Sequence, residues 1–106
     1  MASMQEKLDA IWAQNRGLVR GRLATLERAS EELSETRGLS NQLRTEATSE
    51  AHKLAGSLGM FGHHEATELA RSIELDLENP GLPQPERLRQ HVQRLKDTLA
   101  SALDEN

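Results

Sequence analysis

Cysteine is absent from this chain of 106 residues, and its aromatic side chains number two, Trp12 and Phe61. Without cysteine there are no disulfide frameworks, no thiolate zinc sites and no cysteine nucleophiles. Two aromatic rings and a formal net charge of -4 leave neither the stacking platforms nor the basic face that nucleic acid requires. No apolar run approaches the roughly 20 residues of a membrane span, and the N-terminus lacks the apolar core of a secretory signal. The expected class is therefore a cytoplasmic domain with no membrane contact. The length suits a single domain over residues 1–106 with one core, too small for a substrate-enclosing enzyme with its own nucleotide domain. Met1-Ala2-Ser3 reads as a short leader.

What is present is helix. From Met4 to about Leu33, Leu8, Ile11, Trp12, Leu18, Val19, Leu23, Leu26 and Leu33 recur at spacings of three, four and seven, and no alternating pattern competes. Asn15-Arg16-Gly17 and Gly21 weaken the middle, so two arrangements fit: a short leading helix followed by a long one, or one helix bent near residues 15–17. Ser34 to Gly38 is the first turn. A second helix begins near Leu39-Ser40, with Ser40 as N-cap, and runs to about Met60. After Phe61-Gly62-His63 a third helix extends to about Glu78, with Ala66, Leu69, Ala70, Ile73 and Leu77 on one side. Asn79-Pro80-Gly81-Leu82-Pro83 stops it, because proline lacks a backbone donor and restricts the residue before it. The last helix, about Gln84 to Leu103, carries Leu88, Val92, Leu95, Leu99 and Leu103. Four helices, each apolar along one stripe and joined by short connections, predict an all-α antiparallel four-helix bundle.

The second helix carries the chemistry. At about 100° per residue, Leu43, Ala47, Ala51, Leu54, Leu58 and Phe61 form its apolar stripe, and His52 lies roughly 150° from the stripe's centre. The imidazole is therefore predicted to face solvent. The residues that follow it, Ala55, Gly56 and Gly59, are small, although glycine inside a helix costs about 1 kcal/mol relative to alanine. That combination predicts clearance for something approaching the ring. A solvated histidine without a nucleophile partner, oxyanion site or closed pocket is not a hydrolase. It can accept a phosphoryl group, since imidazole retains a large neutral fraction near pH 7 and phosphoryl transfer mainly demands positioning and charge stabilisation, which a partner can supply.

The run His52-Lys53-Leu54-Ala55-Gly56-Ser57-Leu58-Gly59-Met60-Phe61-Gly62 resembles the acceptor helix of histidine phosphotransfer (HPt) domains, the four-helix modules of multistep two-component phosphorelays. Gly56, Gly59 and Gly62 fall where that family places glycine, and the helix lengths fit along essentially the whole chain. The resemblance implies His52 as phosphoacceptor, exchanging a phosphoryl group with aspartyl phosphates of response-regulator receiver domains, in relays fed by a hybrid sensor histidine kinase. It implies a phosphocarrier, not an enzyme with kinase activity. It implies a monomer with no cofactor of its own, the Mg²⁺ sitting on the receiver. It also implies that Glu74 hydrogen-bonds the imidazole, which fixes the tautomer and leaves Nε2 as nucleophile. One departure is clear: where the family often has lysine three residues after the histidine, this chain has Ala55. Lys53 is the nearby cation, as a possible electrostatic aid, though it projects about 100° from His52. Ala55, Gly56 and Gly59 are assigned to partner docking.

The same residues admit other readings. A non-catalytic adaptor bundle, binding a receiver or partner helix without phosphorylation, is kept open by Ala55. Arg71 reads as an ordinary solvated charge and His91 as a boundary residue. His63 and His64, adjacent on a helix, project apart and do not make a metal site. No Walker-type Gly-x-x-x-x-Gly-Lys is present, which argues against nucleotide binding.

Overall fold

The computed structural model describes residues 3–36, 38–78 and 84–104. The expected leader at residues 1–2, Arg37 in the first turn and the Asn79 to Pro83 break lie outside the described residues. Within them the chain forms α1 (Met4–Thr36), α2 (Asn41–Leu58), a 3-10 turn (Gly59–Phe61), α3 (His64–Glu78) and α4 (Pro85–Asp104). Each helix packs on its neighbours in chain order, and α4 closes back on α1, so the bundle is a ring of four with the apolar stripes turned inward.

Of the two arrangements expected for the N-terminal segment, the structure has a single uninterrupted helix. Gly17 and Gly21 cost helix propensity but no backbone hydrogen bond, and 33 residues of helix carry them. At 1.5 Å per residue α1 is about 50 Å long, which matches the long axis of the molecule, 52 Å. It also satisfies the C-terminal carbonyls of α4 that have no partner within their own helix. Trp12 Nε1 donates to the Ala102 carbonyl at 3.0 Å and Arg20 Nη2 donates to that of Leu103.

The core consists of leucines and alanines. Leu26, Leu33, Leu54, Leu58, Ile73, Leu77, Leu88, Leu95 and Leu99 are fully buried, with Ala29, Ala47, Ala51, Ala66 and Ala70 between them. Most of the expected core is found there. Leu8 is only half-buried, and Ile11 and Leu18 stay exposed despite belonging to the apolar pattern. The reason is helical phase: at 100° per residue the Ile11 and Leu18 directions lie roughly 80° to 120° from those of Trp12 and Val19, which face the bundle.

The ends of α2 are set by local chemistry. Ser40 is extended, and its Oγ accepts from the Leu43 amide at 3.2 Å, as expected of an N-cap. At the other end Gly62 adopts φ 82, donates its N–H to the Gly59 carbonyl at 3.1 Å, and lets His63 N–H reach the Leu58 carbonyl at 3.1 Å. This is a Schellman closure, whose left-handed residue favours glycine. It turns the chain directly into α3 and places Phe61 and His63 against Trp12, with ring centroids 5.1 and 4.7 Å away.

Two glycine replacements should consequently move stability in opposite directions. Gly62→Ala puts a side chain on a left-handed backbone and should lose about 1 kcal/mol, a fall of about 5 °C in Tm for a domain of this size. Gly17→Ala meets open space in a helix interior and should gain up to about 1 kcal/mol. Urea unfolding followed by circular dichroism checks both.

Candidate functional site

His52 lies midway along α2 on the edge that faces α3, with its side chain 75% exposed. The stripe that buries Ala47, Ala51, Leu54 and Leu58 holds the helix down, and the 100° repeat then turns residue 52 outward. On α3, Ile73 and Leu77 are fully buried, and Glu74 beside them comes up at the rim of the seam with its side chain 19% exposed. His52 Nδ1 and Glu74 Oε2 are 2.7 Å apart. A carboxylate only accepts, so Nδ1–H donates to Glu74. In the neutral ring this leaves the Nε2 lone pair free on the solvent side. The orienting contact expected for Glu74 is thus present in the geometry.

The His52 and Glu74 pair bridges the groove between α2 and α3 and borders two hollows. One, of about 430 Å³, is lined by Arg44, Thr45, Thr48, Ser49, Leu77 and Glu78 together with the pair. The other, of about 300 Å³, is lined by Ala55, Gly56, Arg71 and Leu75 together with the pair. Both are open, so the imidazole is reached from outside without any rearrangement of the backbone.

The small residues after His52 divide in role. Gly56 is exposed, and a Cβ built on it would meet nothing within 4 Å, so this position is a true clearance beside the ring. Gly59 is half-buried in the 3-10 turn, and its Cβ would meet Thr67 Oγ1 at 3.5 Å. A side chain there would meet α3 at an ordinary van der Waals distance, and Gly59 lines neither hollow beside His52. Ala55 is only 7% exposed and forms a wall of the smaller hollow.

The expected electrostatic aid is placed elsewhere. Lys53 Nζ lies 3.8 Å from Glu50 Oε1, and the other oxygen of Glu50 is 3.1 Å from Arg22 Nε on α1. Glu50 therefore holds Lys53 toward α1, and Lys53 lines neither hollow. The cations beside His52 are Arg44 and Arg71. Arg71 is the exposed charge that the sequence suggests, and it also lines the smaller hollow, while Arg44, which carried no sequence signal, lines the larger. The available signal was register: in an antiparallel pair set by His52 and Glu74, three residues forward to Ala55 corresponds to three residues back to Arg71.

Between α3 and α4, His91 of α4 makes a second histidine and carboxylate pair, its Nδ1 2.7 Å from Asp76 Oδ2, with Arg87 Nε 3.2 Å from Oδ1. Asp76 is 11% and His91 21% exposed, so this pair ties α3 to α4 instead of presenting a ring to solvent. Among the described residues no group of three or more metal-ligating side chains converges, and no helix is long and apolar enough to cross a membrane.

The His52 tautomer tests the bridge. In the wild type, long-range ¹H–¹⁵N spectra of the neutral ring should show Nδ1–H; Glu74→Ala should shift the population toward Nε2–H, while Glu74→Gln, whose amide oxygen still accepts, should retain most of the original form. Unchanged tautomers in Glu74→Ala would remove the orienting role.

The model of a family described as "Hpt domain" matches residues 10–105. No curated protein and no solved structure gives a significant match.

Proposed function

The chain belongs to the Hpt domain family, and we propose that His52 is the residue on which it carries a phosphoryl group. Hpt domains are phosphocarriers of two-component phosphorelays that work with receiver domains and kinases, and that role in signal transduction comes with membership. The observation that carries the residue assignment is the 2.7 Å contact from Nδ1 to Glu74 on an otherwise exposed ring. It supports Nε2 as nucleophile.

In the transfer, the Nε2 lone pair attacks the phosphorus of a receiver's aspartyl phosphate. The N–P bond forms as the P–O bond to the carboxyl group breaks, and the carboxylate leaves with the electron pair. Nδ1 keeps its proton throughout, so the phosphorylated ring is cationic and Glu74 faces it with opposite charge. Mg²⁺ and the acidic pocket belong to the receiver, and Gly56 leaves room for that surface to reach the ring. Reversal returns the phosphoryl group to a receiver, as a relay requires. On this reading the protein works as a monomer in the cytoplasm and has no kinase activity of its own.

Labelling with phosphoramidate at neutral to mildly basic pH, followed by peptide mass spectrometry, should place one acid-labile phosphoryl group on His52. His52→Gln should abolish it with a stability change within about 0.5 kcal/mol, the range for exposed positions. An unmodified His52, or equal labelling of His63 and His64, would favour the adaptor reading, in which the bundle binds a partner without accepting phosphate. Gly56→Leu should remain folded and accept from phosphoramidate at the normal rate while slowing transfer from a receiver at least tenfold, about 1.4 kcal/mol in the barrier; equal receiver rates would count against the clearance.

A further inference from the structure

The phosphoryl group on Nε2 places a dianion, only half offset by the charge of its own ring, close to Glu74 in a chain whose formal net charge is already -4. A cation is needed within reach, and Ala55 supplies none. We propose that Arg71, projecting from the neighbouring helix α3 into the hollow beside His52, is the side chain that holds the phosphoryl oxygens of this protein. The inference rests on the phosphocarrier reading above.

Register, availability and surroundings favour Arg71. It precedes Glu74 by one helical turn on the same face of α3, opposite Ala55, and it lines the 300 Å³ hollow with His52, Ala55 and Gly56. The absence of any side chain beyond Cβ at positions 55 and 56 gives the guanidinium room. Its ion pair is with Glu68, 3.5 Å away, and the two side chains are 61% and 74% exposed. Such a solvated pair within one helix is worth only about 0.3–0.5 kcal/mol, so it yields readily to a dianion that can accept two parallel N–H bonds.

The alternatives are weaker. Lys53 pairs with Glu50 on the side of α1 and lines neither hollow beside His52. Arg44 lies eight residues before His52 on the same helix, about 12 Å along the axis. Its hollow contains both Glu74 and Glu78, whereas the Arg71 hollow contains only Glu74.

The role has a kinetic sign. In spontaneous loss, water attacks phosphorus and the N–P bond breaks with its electrons going to Nε2, giving neutral imidazole and orthophosphate. The loose transition state moves negative charge off the phosphoryl oxygens. A guanidinium on those oxygens therefore stabilises phosphohistidine more than the transition state, and its removal should shorten the lifetime.

The test is the lifetime of phosphohistidine in the isolated protein, labelled with phosphoramidate, freed of donor and followed by ³¹P NMR. Arg71→Ala should lose the group about two- to fivefold faster than wild type, within the range of an exposed ion pair, and the difference should shrink at high salt. Lys53→Ala should match wild type. Adding Ala55→Lys to Arg71→Ala should recover most of the lifetime, because a lysine from α2 then enters the same hollow. This recovery separates charge from any structural effect. A lifetime unchanged in Arg71→Ala, or a loss that neither Ala55→Lys nor Arg71→Lys recovers, overturns the assignment of Arg71. A wild type that takes no phosphoryl group overturns the phosphocarrier reading, and the assignment with it.

Discussion

Close approach of α2 and α3 is the constraint on which the site depends. Ala47 and Ala51 on one helix and Ala66 and Ala70 on the other are completely buried, and side chains of that size let two backbones come nearer than leucines would. Leu54, Leu58, Ile73 and Leu77 join the same buried cluster, and the rim of the seam presents His52 and Glu74 at hydrogen-bonding distance. A larger residue at any of those alanines would separate the helices by more than a 2.7 Å contact tolerates. The Schellman turn at Gly62 and the tight 3-10 turn before it deliver the chain into this approach within a few residues.

Stability and chemistry occupy different faces of the same helices. The leucines that hold the bundle together point inward, and the imidazole points outward, so the ring can be changed or chemically loaded while the core is untouched. The bundle orients one ring nitrogen and leaves the other free. This suits a carrier, because an exposed group can meet several partners in turn, each bringing its own catalytic apparatus. A half-buried histidine, such as His91 against Asp76, uses the same pairing to join helices instead.

Charge around the ring is uneven. On one side of the His52 and Glu74 pair lie Arg44, two threonines, a serine and Glu78; on the other lie two positions with almost no side chain and Arg71. Loss of a cation on one helix and presence of a cation on the adjacent helix are equivalent in electrostatic terms, because a phosphoryl group responds to the field at its oxygens and not to the chain position of the charge. A comparison along one helix misses this, since the two positions are sixteen residues apart in sequence and face each other only after the helices pair.

Apolar periodicity alone determined four helices, their order and most of the core, because a 3.6-residue repeat specifies which side chains can be buried together whatever packs on them. The Ser40 cap and the turn at Gly62 were legible for a related reason: their chemistry is local to a few residues. His52 was marked as outward-facing by its phase, and the glycines after it as unusual. The tertiary structure decided what phase within one helix cannot express, namely which positions on different helices meet. It joined Glu74 to His52, turned Lys53 to Glu50, buried Ala55, set Gly59 against Thr67 and brought Arg71 into the hollow. These depend on the axial register and rotation of two helices, which the packing of alanines and leucines along their whole length sets collectively.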